Sequence, residues 1–344
     1  MSQFGDINLK GKTVLVTGAG GFIGSHLVQA LLLRGANVKA LVKYNARNDW
    51  GNLERLPQET LSQITVIPGD ISDPFFVRKT LEGCSVVFHL AALIGIPYSY
   101  IAPQHYVSVN VQGTLNILEA CRVEYDAGNL ERLVHTSTSE TYGSALYAPI
   151  DEKHPLQGQS PYSASKIAAD KLAESYFLSF GLPVSTIRPF NTFGPRQSAR
   201  AIIPTIITQA LSHRSSKAPI KVGSLDPKRD FTFVKDTAEG FCRVAECGKA
   251  VGEVINIGSG QTQSIGETLN LILEILGQPE MPIISEEARV RPEKSEVQLL
   301  LADTTKAQSI LKWQPEIDFR QGLEKTIEAI EASLGFYKSG IYNV

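Results

Sequence analysis

A glycine-rich turn near the start of the chain constrains the fold more than any other feature. The strand-like run Thr13–Thr17 leads directly into Gly18-Ala-Gly-Gly21-Phe-Ile-Gly24, and the helical stretch Ile23–Arg34 follows. In such a turn Gly18 allows the tight bend, Gly21 lets a pyrophosphate approach the backbone, and Gly24 lets the helix pack close to the strand. Because free N–H groups at a helix start attract anions, the turn predicts dinucleotide binding. The alternative is a loop that merely turns the chain.

The pattern that follows alternates short apolar runs with longer helical stretches, which is typical of a parallel sheet covered by helices. We predict an α/β fold, a doubly wound parallel sheet of the Rossmann type with a smaller mixed α/β lobe. The predicted strands are Thr13–Thr17, Asn37–Val42, Ile64–Pro68, Ser85–Leu90, Arg132–Ser137, Leu182–Arg188 and Val254–Ile257. The predicted helices are Ile23–Arg34, Pro74–Glu82, Pro103–Tyr125, Tyr162–Phe180, Ile202–Ser212, Asp236–Glu246, Ser264–Leu276 and Asp303–Lys312.

The regular alternation stops after Pro189, and Ile220–Val234 has a hairpin-like pattern. We see no internal repeat and no low-complexity linker. The sequence therefore predicts two interleaved units. Residues 1–188, with about 230–258, form the dinucleotide-binding domain, and residues 189–229 and 259–344 form the substrate-binding lobe.

Charge and cysteine content exclude several classes of protein. The 344 residues include 33 Lys and Arg against 35 Asp and Glu, a formal net charge of −2, which supplies no basic field for nucleic acid or anionic membranes. The four cysteines have no CxxC spacing, which argues against a zinc or redox site, and we predict no metal. The start of the chain lacks the pattern of a signal peptide, and no apolar run has the roughly 20 residues that span a bilayer. We expect a cytoplasmic protein.

The end of the second predicted strand indicates which dinucleotide binds. An Asp or Glu there would accept from the adenosine ribose, but the chain has Lys43 with Arg47 close behind. Because these cations could pair with a ribose 2′-phosphate, we favour NADP over NAD; the alternative is two ordinary surface cations. Asp70 could accept from the adenine amino group, or it could cap a helix. The further residues predicted to contact the dinucleotide are Phe22, Ile23, Ile71, Leu90, Ala91 and Ala92.

Two groups of polar residues suggest proton-transfer chemistry. Tyr162 and Lys166 stand four apart at a predicted helix start, so the ammonium could lower the pKa of the phenol and make it a base. The fifth strand ends in the run Thr136–Gly143, which contains Thr138-Ser139-Glu140 and lies at the sheet edge where ligands bind. A Glu at a partly buried strand end is costly unless it is used or paired. Its alternative role is a cap or an ion pair.

Several motifs occur in one order along essentially the whole chain. They are GxxGFIG, HLAA (His89–Ala92), the Tyr-x-x-x-Lys pair, RPFNTFGPRQ (Arg188–Gln197), RDFTFVKD (Arg229–Asp236) and NIGSG (Asn256–Gly260). Together they resemble the extended short-chain dehydrogenase/reductases that act on nucleotide sugars. The Thr138-Ser139-Glu140 triplet resembles the GDP-mannose 4,6-dehydratases. The neighbouring stretches look most similar to the N-acetylglucosamine 4,6-dehydratases of legionaminic-acid-type pathways.

This resemblance implies a 4,6-dehydratase with a tightly bound, recycled NADP or NAD. Tyr162, with Lys166, would remove the proton of the C4 hydroxyl, Thr138 would bind the C4 oxygen, and Glu140 would abstract the C5 proton. Ser139 stands where the dTDP-glucose branch has an acid, so either Glu140 protonates the leaving C6 hydroxyl, which we prefer, or Ser139 orients it. Asn191, Arg229 and Arg291 would contact the diphosphate of a UDP- or GDP-linked sugar; for each arginine the alternative is a surface ion pair.

Three rival functions stay open at this stage. A nucleotide-sugar C4 epimerase usually carries a small residue where Glu140 stands. UDP-glucuronate decarboxylases share the triplet, so it does not settle the reaction. A catalytically silent regulator would be expected to lose Tyr162 or Lys166, and both are present. The resemblance also implies a homodimer through Pro103–Tyr125 and Tyr162–Phe180, although apolar faces of these helices fit packing on the sheet equally well.

Overall fold

Short runs of branched apolar residues form the strands of the molecule. The computed structural model describes residues 4–290, 292 and 295–338. In that part of the chain the strands are β1 (Thr13–Thr17), β2 (Asn37–Lys43), β3 (Ile64–Gly69), β4 (Val86–His89), β5 (Arg132–Thr136), β6 (Val184–Pro189), β7 (Asn191–Phe193), β8 (Ile220–Val222), β9 (Lys228–Arg229), β10 (Phe231–Phe233), β11 (Val254–Ile257), β12 (Gln263–Ser264), β13 (Ile283–Ser285) and β14 (Leu299–Leu300).

Helices connect the strands and cover them. They are α1 (Phe22–Leu33), α2 (Gln58–Leu61), α3 (Pro74–Leu81), α4 (Ile96–Ile101), α5 (Pro103–Tyr106), α6 (Gly113–Asp126), α7 (Pro161–Phe180), α8 (Ile202–His213), α9 (Val234–Glu246), α10 (Ile265–Ile275) and α11 (Phe319–Glu331). Tighter 3-10 turns occur at Gly51–Arg55, Ser139–Tyr142, Gly248–Ala250, Glu287–Arg289 and Leu334–Phe336, and wider π turns at Val107–Gln112 and Ala307–Leu311.

Seven strands form one sheet in the order β11-β6-β5-β4-β1-β2-β3, and every neighbouring pair is parallel. Val14 and Val16 pack into the core on one face, whereas Leu15 packs into the core on the other. The strand order reverses between β1 and β4, which opens a crevice at their carboxyl ends. The predicted doubly wound sheet is confirmed, and the crevice is where a ligand is expected.

The predicted hairpin at Ile220–Val234 is wrong. The segment contains three short strands, and each pairs with a distant partner: β8 with β13, β9 with β12 and β14, and β10 with β7. Phe231 is held by aromatic contacts with Phe193 and Phe319, which lie far away in the chain. Long-range packing therefore overrides the local pattern, as is common for short strands.

The predicted helix Pro103–Tyr125 is one continuous helical stretch with an inserted π turn at Val107–Gln112. Asn110 lies in this turn and is buried. Its Oδ1 accepts from the backbone nitrogen of Leu93 at 2.8 Å. Its Nδ2 donates to the carbonyl oxygen of Leu93 at 3.0 Å and to Ser165 Oγ at 2.9 Å. The π turn thus fixes the segment after β4 against α7. Such turns recur at functional sites.

Two properties of the described residues bear on the class of protein. No helix there is long and apolar enough to cross a membrane. Within the same residues, no group of three or more His, Cys, Asp or Glu side chains is placed to hold a metal ion.

Candidate active site

A large cavity opens at the edge of the sheet where β1, β4 and β5 end. Its volume is about 1200 Å³, larger than the roughly 300–1,000 Å³ of a typical small-molecule pocket. One part, which we call the glycine side, is lined by residues between 18 and 92. The opposite part, the arginine side, is lined by residues between 189 and 296. The space is large enough for two ligands that meet in the middle.

The turn after β1 leaves no room for side chains. Gly18 has φ +69°, and a Cβ there would lie 2.9 Å from the backbone nitrogen of Ala91. A Cβ on Gly24 would lie 2.3 Å from the carbonyl oxygen of Gly18, so α1 packs against the turn as predicted. Gly21 begins α1 without a side-chain cap, and Phe22 and Ile23 line the cavity. A backbone cradle at a helix start fits a pyrophosphate.

Two further residues of this turn escaped the sequence analysis. The Thr17 hydroxyl accepts from the backbone nitrogens of Leu90 and Ala91, at 3.1 and 3.0 Å, which ties the end of β1 to the end of β4. A Cβ on Gly20 would lie 2.5 Å from the carbonyl oxygen of Trp50, because the segment after β2 folds over the turn. Gly20, the second of the four glycines in the motif, was an available signal for this close approach.

Lys43 and Arg47 both line the glycine side and are exposed. The segment that carries them is held by Asn45, whose Oδ1 accepts from the backbone nitrogens of Arg47 and Asp49. Asp49 also lines the cavity, although the sequence analysis did not single it out. Both cations are therefore available to a ligand, and a carboxylate lies in the same segment.

Asp70 lies at the cavity and is exposed. Its Oδ1 accepts from the nitrogen of Ser72, and the cap of α3 is Asp73 instead. The structure thus decides against the helix-cap alternative for Asp70. Ile71 and the segment Leu90–Ala92 also line the glycine side.

The two sides meet at Thr138, Glu140 and Tyr162, which all line the cavity. Thr138 follows β5 and caps the turn Ser139–Tyr142 by accepting from the nitrogen of Glu140. Ser160 and Ser163 form a capping box that starts α7 and places Tyr162 in its first turn. A hydrogen bond links the hydroxyls of Thr138 and Tyr162. A phenol and a carboxylate are therefore brought together at the middle of the cavity.

Lys166 does not act on Tyr162 in the predicted way. Burial raises the pKa of Tyr162 well above its usual range, and the charge of Glu140 raises it further, although the Thr138 hydrogen bond lowers it. Lys166 is buried beneath the cavity wall, and its Nζ donates to the carbonyl oxygen of Thr136 at 2.6 Å. Burial lowers the pKa of Lys166 to about 8. The expected phenolate near neutrality is therefore not a property of the ligand-free site.

Ser139 does not line the cavity, although it is one of the predicted catalytic residues. Its side chain is buried, and the residues on either side of it, Thr138 and Glu140, form the cavity wall. The prediction that Ser139 orients a substrate hydroxyl therefore finds no geometric support.

On the arginine side, Asn191 lines the cavity, and its buried Oδ1 has no hydrogen-bond partner among the described residues. A buried polar atom without a partner is costly, which makes Asn191 suited to a ligand. Arg229 lines the same wall but forms an ion pair with Glu296 at 2.9 Å. Arg291 lies outside the described residues. Arg200, which the sequence analysis missed, also lines this side.

A buried ionic cluster beneath the site was missed as well. Asp170 Oδ2 lies 2.8 Å from Arg188 Nη2, and Asp170 Oδ1 lies 3.0 Å from His135 Nε2. Asp170 is one turn beyond Lys166 on α7, which was an available signal, since a charged residue on the buried face of a helix is uncommon.

Comparison with known proteins identifies the family. The model of the family "GDP-mannose 4,6 dehydratase" matches residues 15–326. The chain belongs to this family. The human dTDP-D-glucose 4,6-dehydratase is 31% identical over 328 residues, which cover 92% of this chain and 89% of the human protein.

Solved structures of the family superpose on the chain closely. DesIV, a dTDP-glucose 4,6-dehydratase from Streptomyces venezuelae solved with NAD, has a TM-score of 0.80 at 29% identity, covering 95% of this chain and 99% of DesIV. A UDP-glucuronic acid 4-epimerase from Bacillus cereus, solved with UDP-glucuronic acid and NAD, has a TM-score of 0.83 at 31% identity, covering 93% of this chain and 99% of the epimerase. The predicted family is confirmed, and the protein is an enzyme of the nucleotide-sugar dehydratase and epimerase type.

Proposed function

We propose that the protein is a nucleotide-sugar 4,6-dehydratase that converts an NDP-N-acetylglucosamine-type hexose to its 4-keto-6-deoxy product. The observation that carries the proposal is the placement of Glu140 and Tyr162 together on the cavity wall, with Thr138 between the strand and the turn. A C4 epimerase has no step that uses a carboxylate base at C5. A dehydratase needs one.

We propose that NADP or NAD binds the glycine side, with Gly18, Gly21 and Gly24 at the pyrophosphate. The lining residues Phe22, Ile23, Ile71, Leu90, Ala91 and Ala92 would complete this site, with Asp70 at the adenine. The exposed cations Lys43 and Arg47 support a preference for NADP. When bound, the nicotinamide would supply an acceptor for the C4 hydride of the sugar and a donor of the same hydride to C6.

The residues of the chain would perform the proton transfers. Tyr162 would take the proton of the C4 hydroxyl, and the hydrogen bond of Thr138, which lowers the pKa of Tyr162, would favour this transfer. The resulting C4 ketone acidifies the C5 proton, which the Glu140 carboxylate would abstract. The C6–O bond would then break, and the proton carried by Glu140 would leave with the C6 hydroxyl as water. When the hydride returns to C6, C5 would take up a proton from the solvent. Since Ser139 is buried, Glu140 serves as both base and acid.

We propose that the sugar nucleotide, linked to UDP or GDP, binds the arginine side. The unpartnered Oδ1 of Asn191 and the guanidinium of Arg229 support this position. Residues 189–229 and 259–344 would form this lobe, with Arg291 as a further diphosphate partner. A homodimer through the helical stretch 103–126 and α7 is part of the proposal, and the exposed Val107 and Leu178 support it.

The reaction is tested by incubating the protein with UDP- and GDP-N-acetylglucosamine in D₂O without added reductant. We expect a product that has lost one water and carries one deuterium at C5. An isomer of unchanged composition would indicate the epimerase, and carbon dioxide from UDP-glucuronate would indicate the decarboxylase. If no hexose nucleotide reacts, the remaining function is that of a catalytically silent regulator.

The role of Glu140 is tested with Glu140→Gln. Removing a general base costs about 10²- to 10⁴-fold in rate, so we expect loss of both dehydration and C5 deuterium uptake. Binding of the dinucleotide should be unchanged, because Glu140 lies away from the glycine turn. Glu59→Gln, at an exposed position of α2, is the matched control. Full turnover by the Glu140 variant would show that the base is another residue.

A further inference from the structure

A cluster of buried charged and polar side chains lies between α7, β5 and β6, and one of its members, Ser137, also lines the cavity. Its members, each almost fully buried, are His135, Ser137, Tyr142, Lys166, Asp170 and Arg188. The proposed reaction does not assign a role to Asp170. Buried charges are expensive unless they are paired, so a cluster of this kind needs an explanation.

Asp170 is the centre of the cluster. One carboxylate oxygen accepts from Ser137 Oγ at 2.6 Å and from Arg188 Nη2 at 2.8 Å. The other accepts from His135 Nε2 at 3.0 Å. Burial alone would raise the pKa of Asp170, but these three donors hold it well below its usual range. The carboxylate is therefore ionised and fixed in place at any working pH.

Lys166 precedes Asp170 by one turn of α7, so both side chains lie on one face of the helix. The charged and titratable neighbours of Lys166 are Asp170 on its own helix, Tyr162 above it, and His89 and His135 on the adjacent strands. Burial lowers the pKa of both histidines, which are neutral. Asp170 is the group whose negative charge opposes the effect of burial on Lys166.

We propose that Asp170 is a positioning residue for the reaction, because its anchored carboxylate shares one face of α7 with the buried Lys166 and holds the end of β5 through Ser137. The inference rests on the proposed function for its catalytic meaning. The contact that reaches the active site is the Lys166 bond to the Thr136 carbonyl, at the end of β5 just before Thr138. Asp170 also fixes this strand end directly, through Ser137.

The charge of Lys166 is measured directly by NMR titration of isotope-labelled lysine side chains, with the Lys166 signal assigned by its loss in Lys166→Arg. In the Asp170→Asn variant we expect the pKa of Lys166 to fall by about one unit, as follows from removing a nearby opposite charge. The alkaline limb of the pH–activity profile should shift to lower pH by the same amount. At pH 8 this would lower activity about fivefold.

Asp170→Asn alone leaves Arg188 buried without a partner and risks unfolding. The double variant Asp170→Asn with Arg188→Gln removes both charges and should also lower the pKa of Lys166, since Asp170 is the charge that raises it. Tyr142→Phe is the matched control, because Tyr142 accepts from Arg188 Nη1 at 3.0 Å and donates to Asn256 at the far end of the cluster. It should lower thermal stability without moving the Lys166 titration.

An unchanged Lys166 titration in a folded Asp170 variant overturns the proposal. A titration that shows Lys166 of the wild type already uncharged at pH 6 also overturns the proposal. This measurement needs no Asp170 variant. Because the NMR readout does not depend on turnover, failure of the proposed dehydration would leave this result intact. An altered pH–activity limb without an altered Lys166 pKa would instead assign Asp170 a purely structural role.

Discussion

The glycine side of the cavity is built from backbone, and the arginine side is built from side chains. On the glycine side the decisive contacts are close approaches, such as the 2.3 Å between a Cβ on Gly24 and the Gly18 oxygen. On the arginine side they are charges brought from separate segments, such as Arg229 of β9 and Glu296. The glycine turn has no room for an added side chain, whereas the ion pair of Arg229 can be removed without loss of the fold.

The largest effect is therefore expected from Gly24→Val. Its Cβ would meet a backbone oxygen, which no side-chain rotation relieves, so we expect the free energy of unfolding to fall by about 1–3 kcal/mol. Dinucleotide binding should be lost, because the start of α1 must move away from the turn. Chemical denaturation and calorimetric titration with NAD and NADP measure the two effects.

Gly266→Ala is the matched control for this prediction. Gly266 lies in the first turn of α10, where a Cβ would meet its nearest atoms at 3.6 Å, an ordinary contact. We expect unchanged binding and equal or slightly higher stability. If Gly24→Val binds a dinucleotide as wild type does, the cradle is not what distinguishes the glycine side.

A smaller effect is expected on the arginine side from Arg229→Met. A hydrogen bond between charged groups is worth about 1.5–3 kcal/mol, so KM for the nucleotide sugar should rise roughly 10- to 100-fold while dinucleotide affinity stays the same. Arg229→Met with Glu296→Gln should recover part of the loss, since the single variant leaves a carboxylate facing the diphosphate. Arg320→Met, which removes a half-exposed ion pair with Glu274, should leave KM unchanged. Equal KM values for Arg229→Met and wild type would remove Arg229 from the substrate site.

The same contrast explains how much the sequence predicted. The seven strands of the sheet and the glycine turn come from contiguous patterns, in which a strand, a turn and a helix follow one another. The hairpin at Ile220–Val234 fails because β8, β9 and β10 each pair with distant strands, and a local pattern carries no information about them. The helix α11 was not predicted at all.

Three of the five residues predicted to be catalytic line the cavity, but the sequence did not predict the electrostatics of the site. Thr138, Glu140 and Tyr162 do meet on the cavity wall. The spacing of Tyr162 and Lys166 could not show that both become buried, which raises the pKa of the phenol and lowers that of the amine. Nor could it show that Arg188, from β6, pairs with Asp170 beneath them. Burial depends on the tertiary structure, and it decides the sign of each shift.

The smallest effect is expected at the outer end of the glycine side, where side chains take over from backbone. Lys43 and Arg47 are exposed, so each contact with a ribose 2′-phosphate is screened and weak. We expect Lys43→Ala with Arg47→Ala to weaken NADP binding about tenfold and NAD binding less than twofold. Asp49→Asn, in the same segment, should act in the opposite direction by relieving repulsion of the phosphate. Competitive titrations with the two dinucleotides measure the ratio. If the wild type, the Lys43→Ala/Arg47→Ala variant and the Asp49→Asn variant have the same ratio of NADP to NAD affinity, these side chains are ordinary surface charges. The preference for NADP is then wrong. The glycine side would then recognise its ligand through backbone alone, and the contrast between the two sides would be complete.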